Sequence, residues 1–315
     1  MDPGGRRVAE ERLLVTGVTG FVGSAVLRHW SERHPRTEVW GTSDRPCPKW
    51  CEPSHYRQLD LRDEDAVRAL VSDCRPTSVI HLASVIAGAD LETYLSVNVV
   101  GTATLYEALT GKGTERPLVV QVGSAAMYGR LRDDELPVTE DQPFRPVTDY
   151  AVSKVAQEFA SVAAGYSGGL PIVRARVFNL LGPGQPEHLV PMTFVRQLAA
   201  VRDGEAGSIR AGLTTARRDF IDVRDASGAF DALLEKGEPG AAYNVASGTD
   251  VSVQEVIGML MEVAGLEAQV VVDESRLRPV DVPTVRADIS KIRGDTGWEP
   301  GIGLRRSLED MWRET

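Results

Sequence analysis

A tyrosine and a lysine stand four residues apart in the segment TDYAVSK, residues 148–154. If residues 150–166 form a helix, Tyr150 and Lys154 lie about one turn and roughly 6 Å apart on one face. A positive charge beside a phenol favours the phenolate and brings a group of pKa near 10 into working range for proton transfer. The same spacing also occurs in solvated surface pairs, so the surrounding elements decide between the two interpretations.

A glycine-rich segment near the start of the chain predicts a dinucleotide site. The apolar run RLLVT, residues 12–16, is typical of a buried strand and is followed by Gly17, Gly20 and Gly23, after which helical periodicity begins. Glycines in this position allow a tight turn and a close approach of the backbone to a pyrophosphate. The helix that follows offers free N–H groups and the positive end of its dipole.

The next predicted strand, EVWGTS over residues 38–43, leads to the place where an adenosine ribose would be bound. Asp44 could accept hydrogen bonds from a ribose 2′-hydroxyl and would repel a 2′-phosphate, whereas Ser43 and Arg45 could hold that phosphate. The residues leave NAD and NADP both open, and they are also compatible with a simple turn.

Further strands alternate with helices along the N-terminal half. Strands are predicted over 77–84, 117–122 and 172–178, and helices over 64–72 and 90–109. This alternation predicts an α/β fold with a right-handed, doubly wound parallel sheet. Ser124 then follows a strand at the same sheet edge as the glycine loop, on the side expected for Tyr150. Asn98 lies within the second helical stretch, where a binding role and a structural role are equally open.

Charge and cysteine content exclude several classes of protein. The formal net charge of −10 disfavours general binding to nucleic acid or to anionic membranes. The three cysteines, Cys47, Cys51 and Cys74, are too few for a disulfide framework, and no Cys/His pair completes a metal site, so none is predicted. With no apolar segment of membrane-spanning length, the sequence indicates a soluble, cytoplasmic protein. Within that acidic chain, Arg218 and Arg278 are candidates for binding a diphosphate.

Taken together, these segments resemble the extended short-chain dehydrogenase/reductases of the NAD(P)-dependent nucleotide-sugar epimerase/dehydratase family. The resemblance covers residues 12–312 and rests on the motifs TGVTGFVG, DLRD, HLAS, NVVGT, VGSAAMYG, YAVSK, NLLGPGQ, RDFIDV and RPVDVP. It implies a Rossmann domain over 12–178, with a returning segment near 219–245. It also implies a smaller C-terminal domain, over 179–218 and 246–315, that binds a nucleoside-diphosphate sugar, and a homodimer.

The resemblance assigns Ser124, Tyr150 and Lys154 to the family's catalytic triad. Tyr150 would exchange a proton with the sugar, Lys154 would hold the nicotinamide ribose and lower the tyrosine pKa, and Ser124 would orient the substrate oxygen. The implied cofactor-binding residues are Gly17, Gly20, Phe21, Val22, Gly23, Asp44, Arg45, Asp60, Leu61, Leu82, Ala83, Asn98, Tyr150, Lys154 and Val177. The implied substrate-binding residues are Ser84, Ser124, Asn179, Gln185, Arg218 and Arg278. For Asn179 and Gln185, loop-stabilising hydrogen bonds are an equal alternative.

Two alanines narrow the implied reaction. In the family's 4,6-dehydratases an Asp-Glu acid and base pair follows the active-site serine or threonine, where this chain has Ala125 and Ala126, and methyl groups cannot transfer protons. The C-terminal motifs are most similar to the GDP-6-deoxy-mannose reductase branch, which implies NAD(P)H-dependent reduction of a 4-keto-6-deoxy sugar nucleotide. The alternatives are a nucleotide-sugar 4-epimerase that retains its NAD and, ranked lower, a non-catalytic dinucleotide sensor.

Overall fold

The structure is a computed structural model and describes residues 11–47, 49, 55–111, 115–276 and 282–315. Within these ranges no helix has both the length and the apolar character needed to cross a membrane. The strands are β1 Arg12–Thr16, β2 Glu38–Ser43, β3 Tyr56–Gln58, β4 Ser78–His81, β5 Leu118–Ser124, β6 Ile172–Val177, β7 Asn179–Leu181, β8 Ser208–Ala211, β9 Arg217–Asp222, β10 Ala242–Val245, β11 Asp250–Ser252, β12 Gln269–Val272 and β13 Thr284–Val285. The α-helices are α1 Phe21–Arg33, α2 Glu64–Cys74, α3 Leu91–Leu95, α4 Gly101–Leu109, α5 Asp149–Gly168, α6 Met192–Arg202, α7 Val223–Lys236, α8 Val253–Ala264, α9 Ser290–Thr296 and α10 Leu304–Trp312.

A seven-stranded sheet carries the N-terminal elements, in the order β10-β6-β5-β4-β1-β2-β3. The four pairings from β5 across to β3 are all parallel. Strand β1 lies inside this sheet, and Leu13, Leu14 and Val15 are fully buried there, which is why its sequence is a continuous apolar run. The predicted α/β fold, with a Rossmann-type parallel sheet between helices, is confirmed.

The chain divides into two compact units. The first unit consists of Met1–Gly123, Val152–Arg174 and Leu233–Ala241, and its core lies where α2 and α4 cover the sheet. Leu70 and Leu105 lie in this core and are almost completely buried.

The second unit consists of Ser124–Ala151, Ala175–Ala232 and Ala242–Thr315. Its core lies between α6, α8, α10 and the short strands of the C-terminal half. Strand β9 pairs with β11 in antiparallel fashion and with β13 and β7 in parallel fashion, and β8 pairs with β12. The sequence pattern predicted none of these short strands.

The helix predicted over 90–109 is interrupted by a π-helical turn at Ser96–Val100. A π-turn contains one residue more per turn than an α-helix and therefore rotates the side chains that follow it. Asn98 is fully buried in this turn, whereas Val100 is 54% exposed. The interruption was not predictable from periodicity, because both flanking segments are regular α-helix.

Two helical glycines should respond in opposite ways to alanine. A Cβ atom on Gly23 in α1 would lie 2.6 Å from the carbonyl oxygen of Gly17, whereas a Cβ on Gly258 in α8 would meet nothing within 4 Å. We expect Gly23→Ala to lower the free energy of unfolding by about 1–3 kcal/mol because the loop must shift. Gly258→Ala should raise it by about 0.5–1 kcal/mol because alanine loses less backbone entropy.

Urea denaturation of the two variants and the wild type measures both effects. Equal responses at the two positions would contradict the close approach at Gly23.

Candidate active site

The glycine loop after β1 is shaped for close packing against neighbouring backbone. Gly17 has a φ of +71°, and a Cβ atom there would lie 2.8 Å from the nitrogen of Ala83. The backbone nitrogens of Gly17 and Val18 both donate to the carbonyl of Thr42, at 2.8 and 3.2 Å. These contacts fix the loop between the ends of β2 and β4.

The first turn of α1 fits the pyrophosphate of a dinucleotide. Gly20 caps this helix without a side-chain hydrogen bond, and the first turn has no acidic residue. N–H groups at a helix start that no side chain caps, with the positive end of the dipole, suit a phosphate. Phe21 and Val22 are half-buried in this turn.

At the end of β2 the three residues predicted to distinguish NAD from NADP lie together. The Ser43 hydroxyl is 2.7 Å from that of Thr19 and donates to Asp44 Oδ1 at 3.1 Å, and the backbone nitrogen of Arg45 donates to the Ser43 oxygen at 3.3 Å. Asp44 and Arg45 are both exposed. The strand end thus presents an acceptor for a ribose hydroxyl and a cation for a phosphate side by side.

Two other predicted cofactor residues follow β3. Asp60 forms an ion pair with Arg62, and this hydrogen-bonded partner lowers the pKa of the carboxyl group. Leu61 is 8% exposed and packs beside Gly101. A Cβ atom added to Gly101 would lie 3.1 Å from the Cβ of Leu61. Leu61 therefore contributes to the core of the first unit.

Asn98 uses both ends of its amide within the protein. Its Oδ1 accepts from the backbone nitrogen of Val85 at 2.8 Å, and its Nδ2 donates to the carbonyl of Val85 and to the hydroxyl of Ser153, each at 3.0 Å. These bonds tie the segment after β4 to α5, which favours the structural role over the binding role. Ser84, in the same segment, is half-buried and donates to the carbonyl of Val85 at 3.3 Å.

Ser124 ends β5 and begins a short 3₁₀ helix over Ala125–Tyr128. Its Oγ accepts a hydrogen bond from the backbone nitrogen of Ala126 at 3.2 Å, and the residue is half-buried. The parallel strand therefore delivers this hydroxyl to its carboxyl end, as the sequence predicts.

The helix predicted to carry Tyr150 and Lys154 is present as α5. Thr148 Oγ1 accepts from the backbone nitrogen of Ala151 at 3.1 Å, a typical capping bond. Tyr150 lies half-buried in the first turn, and Lys154 follows one turn later. The two residues therefore lie four positions apart on the helix that the sequence predicts.

The Lys154 ammonium is almost entirely buried, with 3% of the residue exposed. Its Nζ donates to the carbonyl of Val122 at 2.9 Å and to Gln157 Oε1. Burial lowers the pKa of Lys154 to about 7, and the nearby Glu158 carboxylate opposes that effect. A lysine so placed changes protonation state near neutral pH.

The sequence pattern did not predict a group of buried polar side chains that lies next to Lys154. Thr16, His81, Thr102, Gln121 and Gln157 are each no more than 1% exposed, and all belong to the first unit. His81 and Gln121 interrupt otherwise apolar strands, which is the signal that could have identified them. Buried polar groups in such positions are hydrogen-bonded as a rule.

The predicted substrate residues of the second unit are engaged with backbone. Asn179 Nδ2 donates to the carbonyl of Asp219 at 3.0 Å. Gln185 is 4% exposed, donates to the carbonyl of Leu180 at 2.8 Å and accepts from the nitrogen of Met192 at 3.3 Å, which favours its loop-stabilising role. Arg218 donates to the carbonyl of Arg217 at 2.8 Å. Arg278 lies outside the described residues.

The GDP-mannose 4,6 dehydratase family matches residues 14–311 of the chain. The chain belongs to this family. It is 33% identical over 303 residues to the GDP-6-deoxy-D-mannose reductase of Pseudomonas aeruginosa, covering 95% of each sequence. The predicted membership of the extended short-chain dehydrogenase/reductases, and of their nucleotide-sugar epimerase/dehydratase family, is confirmed.

Solved structures of family members match almost the whole chain. The Pseudomonas aeruginosa RMD structure complexed with NADPH matches with a TM-score of 0.85 and 32% identity, covering 96% of this chain and 98% of that one. The UDP-glucose 4-epimerase of Thermus thermophilus, complexed with NAD, matches with a TM-score of 0.80 and 28% identity, covering 96% and 98%. The predicted NAD(P) cofactor is confirmed, with NADPH bound in the first of these structures and NAD in the second.

Two open clefts of the second unit contain none of the predicted catalytic residues. One, of about 340 Å³, lies between the loop of Ser247 and Thr249 and the segment Pro300–Leu304. The other, of about 440 Å³, is lined in part by Arg286 and Arg293. Both arginines are partly exposed and ion-paired with carboxylates, Arg286 with Asp250 and Arg293 with Glu299.

The buried His81 should make the protein sensitive to acid. Burial, with the neighbouring Lys154 charge, lowers the pKa of His81 to about 3. Unfolded histidine titrates near 6.5, so between about pH 6.5 and pH 3 the unfolded chain binds a proton that the folded chain excludes. The free energy of unfolding should therefore fall as pH falls through this window, by up to about 1.4 kcal/mol per pH unit.

His81→Gln removes this contribution, so the stability gap between wild type and variant should narrow from pH 7 to pH 4. Urea denaturation at several pH values measures the gap. His188→Gln is the control, because that side chain is exposed. A gap that stays constant with pH would contradict the burial of a neutral imidazole.

Proposed function

We propose that the protein reduces the keto group of a 4-keto-6-deoxy nucleoside-diphosphate sugar with NAD(P)H. The observation that carries this proposal is the pair of Tyr150 and Lys154 on α5, in which the lysine is buried and held by protein acceptors. The pair supplies an acid for the sugar oxygen and a cation that stabilises the conjugate base.

Each residue of the proposed triad has one task. Tyr150 donates its phenolic proton to the carbonyl oxygen, and the Lys154 ammonium stabilises the phenolate that remains. Ser124 donates a hydrogen bond to the same substrate oxygen. When bound, a reduced nicotinamide would supply the hydride that converts the ketone into a secondary alcohol.

The residues after Ser124 argue against the dehydratase reaction of the family's name. Elimination of water requires an acid and a base near the sugar, and Ala125 and Ala126 offer only methyl groups. The similarity to the GDP-6-deoxy-D-mannose reductase of Pseudomonas aeruginosa supports reduction as the reaction and a GDP-sugar as the substrate.

The alternative function is a nucleotide-sugar 4-epimerase. It is supported by the UDP-glucose 4-epimerase with NAD among the matching structures. An epimerase would use the same serine, tyrosine and lysine and would keep its NAD between oxidation and re-reduction. A dinucleotide sensor ranks below both, because it would need neither Tyr150 nor Lys154.

We assign the nucleoside diphosphate to the C-terminal domain predicted over 179–218 and 246–315. Arg218, at the start of β9, and Arg278 are the proposed cations for the diphosphate. Asn179 and Ser84 remain candidates for polar contacts to the sugar, and Gln185 would act by holding its loop. A cytoplasmic location accords with a buried thiol, Cys74, in the core of the first unit.

The protein is proposed to act as a homodimer through α5. Val152, Phe159 and Tyr166 stand seven residues apart on this helix and are 38%, 60% and 91% exposed. Apolar residues repeated every seven positions form a seam that packs against another helix. Val100, 54% exposed in the π-turn, adds a further apolar group on the first unit.

The catalytic proposal predicts stoichiometric cofactor consumption. Anaerobic incubation with GDP-4-keto-6-deoxymannose, followed by absorbance of the reduced nicotinamide and by product identity, should show one NADH or NADPH consumed per alcohol formed. Parallel assays with the two cofactors determine the preference. Conversion of a non-keto sugar nucleotide to its epimer without net cofactor use would establish the alternative function instead.

In the same assay, Tyr150→Phe should lower kcat by about a hundred- to ten-thousand-fold because the general acid is lost. Tyr166→Phe, on the same helix, is the matched control; it keeps the apolar ring that the proposed seam uses and should leave kcat unchanged. A Tyr150→Phe variant with full activity would exclude the proposed acid.

The dimer proposal predicts that Phe159→Glu dissociates the protein. A carboxylate at the seam would have to be buried without a partner, which is strongly unfavourable. Sedimentation velocity should show a dimeric wild type and a monomeric variant. Val272→Glu is the control, since Val272 is also 60% exposed but lies on β12. A wild type that sediments as a monomer would remove this proposal.

A further inference from the structure

A continuous chain of buried hydrogen bonds leads from the Lys154 ammonium into the core of the first unit. Gln157 Oε1 accepts from Lys154 Nζ, and Gln157 Nε2 donates to Thr102 Oγ1 at 2.8 Å. Thr102 Oγ1 lies 2.8 Å from His81 Nε2, and His81 Nδ1 lies 2.7 Å from Thr16 Oγ1. Thr16 is the last residue of β1, directly before the glycine loop.

The hydrogen positions in this chain follow from its chemistry. An ammonium only donates, so the oxygen of the Gln157 amide must face Lys154 and its nitrogen must face Thr102. The Thr102 hydroxyl donates its single hydrogen to the carbonyl of Asn98 at 2.6 Å. Thr102 therefore accepts from His81, which must carry its proton on Nε2.

The far end of the chain is then determined as well. Because Nε2 of the neutral His81 ring carries the proton, Nδ1 is an acceptor and receives the hydroxyl hydrogen of Thr16. The Thr16 oxygen in turn accepts from the backbone nitrogen of Ala83 at 3.2 Å. Each hydrogen bond of the chain thus has one direction.

This arrangement excludes a role in carrying protons to solvent. The chain ends on backbone groups, the N–H of Ala83 and the carbonyl of Asn98, and neither exchanges protons in a reaction. His81 is held neutral by burial and by the Lys154 charge. The arrangement can instead fix the position of the one side chain at its open end, Lys154.

We propose that Gln157 is a positioning residue that holds the Lys154 ammonium in place for catalysis. The inference rests on the role proposed above for Lys154. Two of its ammonium hydrogens go to Val122 and Gln157, and the third remains for a ligand as far as the described residues show.

The orientation of Gln157 is itself determined by its neighbours. Gln121 Nε2 donates to Gln157 Oε1 at 3.2 Å. On the other side of the amide, Gln157 Nε2 donates to Thr102 Oγ1. The charged group nearest to Lys154 on its own helix is Glu158, which is buried and pairs with Arg174 at 3.4 Å. The titratable group that faces Lys154 from the sheet is His81 on β4. Gln157 thus contributes an uncharged acceptor of fixed direction.

Direct titration of Lys154 tests the proposal without any substrate. The chain has five lysines, so protein labelled with ¹³C at the lysine Cε gives a spectrum of few signals, in which Lys154→Met identifies the relevant one. The midpoint for Lys154 is measured in wild type, Gln157→Leu and Gln157→Glu. Tyr106→Phe is the control, because it removes only a buried hydroxyl bonded to Ser161, and Ser161 donates to the backbone carbonyl of Gln157 rather than to its side-chain amide.

Gln157→Leu removes an acceptor from a buried ammonium and should lower the Lys154 midpoint by about one pH unit or more. Gln157→Glu places a carboxylate there and should raise the midpoint, while Tyr106→Phe should leave it unchanged. In the reductase assay, the pH profile of kcat/KM should move in the same directions. Leucine and glutamate side chains are similar in size, so a general loss of stability would not shift the Lys154 midpoint in opposite directions in the two variants.

A Lys154 midpoint that stays at the wild-type value in Gln157→Leu would overturn the proposal. If Gln157→Leu does not fold, Gln157→Glu alone provides the test. An unchanged Lys154 midpoint in Gln157→Glu would also overturn the proposal. Failure of the proposed function would look different. The Lys154 midpoint would still shift in the Gln157 variants, but the protein would not reduce keto sugars.

Discussion

The charge of Lys154 must be accommodated inside the protein, and much of the first unit is arranged around that requirement. Moving an ammonium out of water costs several kcal/mol unless acceptors replace the lost solvent. The carbonyl of Val122 on β5 and the amide of Gln157 on α5 supply those acceptors. Helix and strand must therefore keep their mutual register, because a shift of either would leave the ammonium unsatisfied.

The same requirement explains why polar side chains occupy an otherwise apolar core. Each member of a buried network needs a partner of its own, so one amide next to the lysine leads to a threonine, then a histidine, and finally a threonine that meets the backbone of Ala83. The chain of partners ends beside Gly17, in the loop expected to bind the cofactor. Lysine and glycine loop, about 140 residues apart in sequence, are thereby coupled through a single set of hydrogen bonds.

The sequence was informative where local patterns carry the information. The glycine spacing, the continuous apolar strands and the helix of Tyr150 follow from periodicity and turn chemistry, and all are present in the structure. The π-turn around Asn98 and the short strands that flank β9 depend on partners far away in the chain, which a local pattern does not contain. Gln185 illustrates the limit for sites, because its type and loop position suit a ligand contact, yet its amide is used by the carbonyl of Leu180.

The division of the chain into discontinuous units bears on how the protein is made. Each unit is assembled from three separate segments, and the first is complete only with Leu233–Ala241, after about three-quarters of the chain. At roughly 5–20 residues per second, synthesis reaches that point after about 12 to 48 seconds. Until then the apolar strands of the nascent sheet lack part of their cover, and transiently exposed apolar strands favour aggregation. For the same reason, a single truncation of the chain cannot produce the complete set of segments of either unit.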